Sequence, residues 1–69
     1  MSRAEGPTLT EVKAWPATVP VPEAARALGV SKSHLYALVK RGEAPVRTLS
    51  FGSSHRVITA SLVHLLEAA

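Results

Sequence analysis

The side chains of this sequence that are best suited to bind a ligand are cations in its second half. Residues 30–58 contain five cations and only one acid, Glu43, whereas the three cations of residues 1–29 are balanced by three acids. The five are Lys32, Lys40, Arg41, Arg47 and Arg56. Ammonium and guanidinium groups donate hydrogen bonds to phosphate and carboxylate oxygens. This distribution indicates a segment that binds an anionic partner, of which nucleic acid is one kind.

The other reactive side chains do not form a pattern for metal binding or catalysis. The sequence has no Cys and no Asp, and its histidines, His34, His55 and His64, are not spaced as metal ligands. Serine, histidine and glutamate occur, but a chain of 69 residues has little room for a pocket that buries and orients them. We therefore expect no enzyme activity, no metal and no cofactor.

Length and composition predict one small domain. A chain of 69 residues supplies apolar surface for a single core. No apolar run approaches the roughly 20 residues of a membrane span, and Met1–Gly6 lack the apolar stretch of a secretory signal. We expect a cytoplasmic protein without membrane contact, with a flexible or short-helical arm over residues 1–17 and a folded domain over residues 18–69.

The arm contains one helix signal. Thr8 and Glu11 have the spacing of a capping box, and Leu9, Val12 and Trp15 recur at helical intervals, which predicts one or two turns. Residues 1–7 show no periodicity and are expected to be disordered. The prolines at 16, 20 and 22 predict an extended chain after the helix. Trp15 is expected to cover the helical core.

Two helices with a tight turn are predicted next, over Pro22–Leu28 and Lys32–Arg41. Gly29 suits the positive φ at the end of the first helix, and Ser31 is a strong N-cap for the second. Gly42 ends the second helix. Val30 is expected to plug the turn. The apolar positions at helical spacing, which predict the buried faces, are Val21, Ala24, Ala25 and Leu28 in the first helix and Leu35, Leu38 and Val39 in the second.

A β-hairpin and a final helix complete the predicted domain. Val46–Leu49 and His55–Ile58 favour strands, and Ser50–Ser54 between them is rich in turn residues. Thr59 is then expected to cap a helix over Ala60–Glu67 that closes the core. The fold class that follows is mostly α with a β-hairpin: a winged helix-turn-helix with a short three-helix core.

This arrangement of two short helices, the second one cationic, is suited to placing that second helix in the major groove of DNA. The positions expected to face DNA from the second helix are Ser31, Lys32, Ser33, His34, Tyr36, Ala37, Lys40 and Arg41. Those expected to contact DNA from the hairpin, or wing, are Arg47, Ser53, Ser54, His55 and Arg56. Lysine donates to phosphates and base edges, serine can donate or accept, and a methyl group such as that of Ala37 can contact thymine.

Val21–Pro45 also carries a recognisable pattern. It has a Glu-Ala-Ala opening, a Leu-Gly-Val-Ser turn, a tyrosine in the second helix and a Lys-Arg-Gly-Glu-x-Pro exit. With these features the chain resembles the winged helix-turn-helix of the excisionase and MerR-related group, over about residues 19–66. The resemblance implies major-groove contacts from Lys32, Ser33, Tyr36 and Lys40 and wing contacts from Arg47 and Arg56.

For function, the resemblance implies a recombination directionality factor. Such an excisionase binds repeated sites on double-stranded DNA cooperatively and bends them, which directs a tyrosine or serine integrase toward excision in a bacterial or phage-infected cell. Self-association along DNA is expected, through the arm, Phe51 or the last helix. A small MerR-like transcriptional regulator is the alternative, and a protein-interaction module that uses the Leu62–Leu66 helix is a third hypothesis.

Three features depart from the family pattern. Pro20 stands where family members often have a Thr or Ser cap, so the first helix is expected to start one residue later. The central position of the second helix often holds arginine in the family but is Ala37 here, so direct reading of guanine from that position is not expected. Phe51 lies in the long predicted turn of the wing. We expect it to tuck under the hairpin; the alternatives are an apolar wedge or a contact between copies.

Overall fold

The computed structural model describes residues 6–68 and contains four helices and a three-stranded sheet within that range. The predicted disorder of residues 1–7 lies outside the described residues for residues 1–5 and is wrong for Gly6 and Pro7, which are described and partly buried. In chain order the elements are α1 (Leu9–Lys13), β1 (Thr18–Pro20), α2 (Val21–Leu28), α3 (Lys32–Arg41), β2 (Thr48–Phe51), β3 (Ser54–Ile58) and α4 (Thr59–Ala68). The predicted winged helix-turn-helix is confirmed.

The helix-turn-helix is formed by α2 and α3. Gly29 ends α2 with φ of 75°, and the amide of Val30 donates to the Ala25 carbonyl at 3.1 Å, which closes the turn. Ser31 then caps α3 by accepting a hydrogen bond from the His34 amide at 3.1 Å. Both helices present the predicted apolar faces to the core, with Leu28 and Leu38 only partly covered. The sequence therefore specifies both ends of this turn.

Two details of the turn differ from expectation. The α2 helix begins at Val21, one residue earlier than predicted, because proline is accepted in the first turn of a helix and Pro22 occupies its second position. The prediction that Val30 plugs the turn is wrong, since this side chain is 39% exposed. The core beneath the turn is already filled by Ala25 and Leu35, which are both buried.

The wing is part of a three-stranded antiparallel sheet in the order β1-β3-β2. The sequence predicted an extended chain before Pro20 but not its pairing with β3, where Val19 lies opposite Val57. The predicted first strand, Val46–Leu49, is shifted to Thr48–Phe51. The predicted five-residue spacer is in fact a two-residue turn at Gly52 and Ser53. Gly52 has φ of 64° and supplies the positive φ that such tight hairpin turns need.

The start of α4 also differs from the prediction, because Thr59 is the first helical residue and not a cap. Its hydroxyl donates to the carbonyl of Pro16, and its amide donates to the carbonyl of Ala17 at 2.9 Å. Thr59 is buried by these contacts. It therefore joins the start of α4 to the chain that leads into β1.

The N-terminal helix contributes to the core. The capping box predicted for Thr8 and Glu11 is present, with both of its hydrogen bonds. Val12 is fully buried, α1 packs against α4, and Trp15 covers the core as predicted. The core itself joins every layer through small aliphatic side chains: Val12, Val19, Val21, Ala24, Ala25, Leu35, Val39, Val46, Val57 and Leu62. It fixes α3 and the wing relative to each other.

Candidate nucleic-acid interface

The α3 helix presents one polar and cationic face to solvent. Leu35 and Val39 anchor the helix in the core, which leaves the opposite side uncovered. Seven of the eight predicted residues in this region are exposed: Ser31, Lys32, Ser33, His34, Ala37, Lys40 and Arg41. Tyr36, the eighth, is partly buried. The Ser31 hydroxyl takes the His34 amide, so the amides of Lys32 and Ser33 are the ones in the first turn of α3 that are left for an anionic group.

A groove separates this face of α3 from the wing. Its volume is about 450 Å³. The α3 helix contributes Ser33, Tyr36, Ala37 and Lys40, and the wing contributes Ser53 and His55. All six are among the residues predicted to contact DNA. The fold thus brings together hydroxyl, imidazole and ammonium groups that can donate hydrogen bonds to a phosphate.

Tyr36 and His55 form an aromatic contact between α3 and the wing. Their ring centroids are 6.3 Å apart, and the rings meet edge to face at 76°. His55 is held from the other side, since its Nδ1 lies 3.1 Å from the Ser50 hydroxyl. Ser50 and His55 are directly opposite in the β2–β3 ladder, so both side chains project from the same face of the sheet. The position of the imidazole is therefore fixed by both elements.

The ion pairs within residues 6–68 shape the electrostatic field of the surface. They join Lys13 to Glu67, Arg26 to Glu23 and Arg41 to Glu43, at 2.9 to 3.1 Å. None of these pairs includes Lys32, Lys40 or Arg47. Lys32 and Lys40 both lie on the exposed face of α3. This face of α3 therefore carries two cations outside these ion pairs, while the charge of Arg41 is partly balanced by Glu43.

The remaining predicted wing residues do not line this groove. Arg47 is exposed at the base of the wing beside α4, and its amide donates to the Ser61 hydroxyl at 2.9 Å. Ser54 is exposed and lies opposite Phe51 in the ladder. Arg56 is partly buried, and its guanidinium donates to Thr18. Of the five predicted wing residues, only Ser53 and His55 therefore face α3.

Phe51 does not tuck under the hairpin, so that expectation is wrong. It is 62% exposed next to the turn. The position of the strand explains the difference, because Phe51 belongs to β2 and not to the turn. Phe51 pairs with Ser54, and both side chains lie on the sheet face opposite to the one that carries Ser50 and His55. That outer face is not the one that the core covers, because Val19 and Val57 are buried on the inner face.

Two residues that contribute to the site were missed from the sequence, Ser50 and Thr18. Ser50 positions His55, and Thr18 accepts hydrogen bonds from Arg56. The dipeptide Gly52-Ser53 is a known signal for a two-residue hairpin turn and predicts the pairing of Ser50 with His55. For Thr18 the sequence holds no comparable signal, because its partner lies 38 residues away.

Comparison with known proteins agrees with this geometry. The profile of the family described as "Helix-turn-helix domain" matches residues 21–69, which include α2, α3, the wing and α4. The chain belongs to this helix-turn-helix family. The family consists of small DNA-binding domains and includes excisionase-like proteins. Searches of curated proteins and of solved structures gave no match.

Family membership makes DNA the partner that the helix-turn-helix domain binds, and it agrees with the cationic face of α3. Two further observations concern other classes of site. Within residues 6–68, no group of three or more His, Cys, Asp or Glu side chains is arranged to hold a metal ion. In the same range no helix is both long and apolar enough to cross a membrane.

Proposed function

We propose that this helix-turn-helix protein is a non-catalytic DNA-binding protein of the excisionase type. It binds repeated sites on double-stranded DNA cooperatively and bends them, and so directs a tyrosine or serine integrase toward excision. It acts on DNA in the cytoplasm of a bacterial or phage-infected cell. The proposal requires no metal, cofactor or covalent chemistry from the protein.

The observation that carries the proposal is the groove between α3 and the wing. Ser33, Lys40, Ser53 and His55 line it together. With α3 in the major groove, the sugar–phosphate strand at the edge of that groove runs between α3 and the wing. Lys32 and Lys40 then contact phosphates or base edges, and Tyr36 contributes its hydroxyl.

Cooperative binding follows from the small size of this surface. A single module of this kind buries roughly 600–1,000 Å² on DNA. With Ala37 at the centre of the α3 face, direct base reading from that position is limited to apolar contact with thymine. Repeated sites compensate for a weak single site when one bound copy favours the next, through a contact between copies or through DNA that is already bent.

The experiment that tests this function begins with the DNA site. The protein is used to select fragments from the genome that encodes it, and the selected site is mapped by footprinting. We expect a footprint with repeated elements near an integrase attachment site. In a reconstituted reaction, addition of the protein is expected to turn the neighbouring integrase from integration to excision.

The outcomes separate the alternatives. A footprint at a promoter, with no effect on recombination, would replace the excisionase role by that of a MerR-like transcriptional regulator. Failure to bind any selected duplex, while the protein is folded, would refute DNA binding and leave the protein-interaction module. A footprint at one isolated element, without further copies, would overturn the cooperative part of the proposal.

A further inference from the structure

Two large apolar side chains, Leu49 and Phe51, are exposed near the tip of the wing, among serine and threonine residues and without a charged residue next to them in the sequence. Residues 48–54 contain no charged side chain. Within this stretch Phe51 is 62% exposed and Leu49 is 40% exposed. They are two residues apart on one strand, so their side chains share the outer face of the sheet. Wings that only grip phosphates need cations or hydroxyl groups, and neither side chain provides them.

The position of Phe51 relative to the groove follows from the ladder. Ser53 lines the groove between α3 and the wing, and Phe51 immediately precedes the two-residue turn that contains Ser53. Phe51 pairs with Ser54 on the outer face of the sheet, whereas His55 points from the inner face toward Tyr36. Phe51 and α3 therefore lie on opposite sides of the wing.

This arrangement determines which groove of the DNA Phe51 faces. With α3 in the major groove and a sugar–phosphate strand in the α3–wing groove, the region beyond that strand is the adjacent minor groove. Phe51, the largest apolar side chain of the wing, lies on the side of the wing turned away from α3 and so toward this region. A two-residue turn, in which Gly52 supplies the positive φ, follows Phe51 directly.

We propose that Phe51 is an apolar wedge that enters the minor groove and inserts partly between two base pairs. The ring then contacts the apolar faces of the bases and unstacks them, which kinks the duplex toward the major groove. Leu49, on the same face, covers the side of the ring that stays outside the base stack. This inference rests on the proposed DNA binding and assigns the bend to one side chain.

A contact between neighbouring copies is the other use of an exposed phenylalanine. The wedge is favoured because Ser53, two residues from Phe51, lines the groove assigned to the phosphate strand, while Phe51 lies on the opposite side of the wing, beyond that strand. A contact between copies also needs a partner surface on the neighbouring copy. The two uses of Phe51 can be told apart by the property of the complex that each one affects. A wedge alters the shape of a single bound site, whereas a copy contact alters only the binding of the next copy.

The test measures DNA bending on a duplex that carries one binding site, with donor and acceptor dyes at its ends. Wild type is compared with Phe51→Ala, Phe51→Trp and Val30→Ala, the last being an exposed apolar control on the α2–α3 turn. We expect wild type to bend the duplex by roughly 20–90°. Phe51→Ala is expected to lose most of this bend, while Phe51→Trp and Val30→Ala retain it.

A second measurement locates the kink. In duplexes with 2-aminopurine at successive minor-groove positions, wild type is expected to raise the fluorescence at one step, and Phe51→Ala is expected not to. Thermal melting shows whether each variant is folded, and loss of this exposed side chain is expected to leave the melting temperature nearly unchanged.

Equal bending by wild type and Phe51→Ala on the single site overturns the wedge. If Phe51→Ala also loses cooperative binding on a two-site duplex, Phe51 belongs to a contact between copies. Absence of binding by wild type is a different result, because it refutes the proposed function itself.

Discussion

The guanidinium of Arg56 donates to both oxygen atoms of Thr18. Its Nη2 lies 3.1 Å from the carbonyl oxygen, and its Nε lies 3.3 Å from the hydroxyl oxygen. Arg56 lies in β3, the central strand of the sheet, and Thr18 lies in β1, which continues directly into α2. The side chain therefore links the wing to the strand that precedes the helix-turn-helix.

This link predicts a positioning role for Arg56. Thr18→Val removes the hydroxyl acceptor and keeps the β-branched shape. We expect it to lower the free energy of unfolding by about 0.5–1.5 kcal/mol, the usual contribution of one hydrogen bond. We expect DNA affinity to fall, because the wing loses part of its orientation. The dependence of affinity on salt is expected to stay as in wild type. Urea unfolding and salt titrations measure the two effects.

Arg56→Gln separates positioning from DNA contact. We expect Arg56 to remain on Thr18 in the complex, so the slope of log K against log salt concentration is expected to be the same for Arg56→Gln and wild type. A decrease of the slope by about 0.9 would show that Arg56 leaves Thr18 and neutralises a phosphate.

Ser31 is expected to have two separable roles. Ser31→Ala removes the cap that accepts from the His34 amide, so we expect a loss of about 1 kcal/mol in the free energy of unfolding. Ser31→Asp keeps a cap and adds a negative charge at the end of α3 that faces DNA. Its stability is expected to be close to wild type and its DNA binding weaker by about 1 kcal/mol or more. Undiminished binding by Ser31→Asp would place this helix end away from DNA.

The N-terminal helix is expected to stabilise the whole domain, because Val12 is fully buried. Val12→Ala removes two buried methyl groups and leaves a cavity, with an expected loss of about 2 kcal/mol in the free energy of unfolding. Thr10→Ala, at an exposed position of the same helix, is the control, with an expected change within about 0.5 kcal/mol. Equal stability of the two variants in urea would mean that α1 is not part of the cooperative unit.

Tyr36 is expected to act on DNA binding through both its hydroxyl and its ring. Tyr36→Phe keeps the edge-to-face contact with His55 and removes only the hydroxyl. Tyr36→Ala removes both, and we expect it to weaken binding by about 1–3 kcal/mol, with Tyr36→Phe in between. The comparison is made by fluorescence anisotropy on the mapped site. Wild-type affinity in both variants would exclude Tyr36 from the interface.

The helical half of the fold was predictable from the sequence because its signals are local. Gly29, Ser31 and Gly42 each fix a helix end through their own backbone or side chain. The exposed face of α3 follows from the burial of Leu35 and Val39, which the helical period places on the other side. Each of these features depends only on residues that are close together in the sequence.

The wing was less predictable because its register depends on pairing between strands. A shift of one residue exchanges the two faces of a strand, so the environments of Ser50, Phe51 and Arg56 all depend on the turn at Gly52 and Ser53. The bond between Arg56 and Thr18 depends in addition on β1, whose pairing with β3 is a long-range event. The resemblance to excisionases identified the family but gave none of these contacts.

The most direct test of DNA binding by the α3 face is the salt dependence of affinity for one mapped duplex. Wild type is compared with Lys40→Ala, which removes a cation from the α3–wing groove, and with Lys13→Ala, which removes a cation that pairs with Glu67 of α4. We expect affinity to fall steeply with salt, with a slope of about −0.9 per phosphate contact, and Lys40→Ala to reduce that slope by about 0.9. Lys13→Ala is expected to retain the wild-type slope. Salt-independent binding, or the same slope for wild type and Lys40→Ala, would contradict the assignment of this face to DNA.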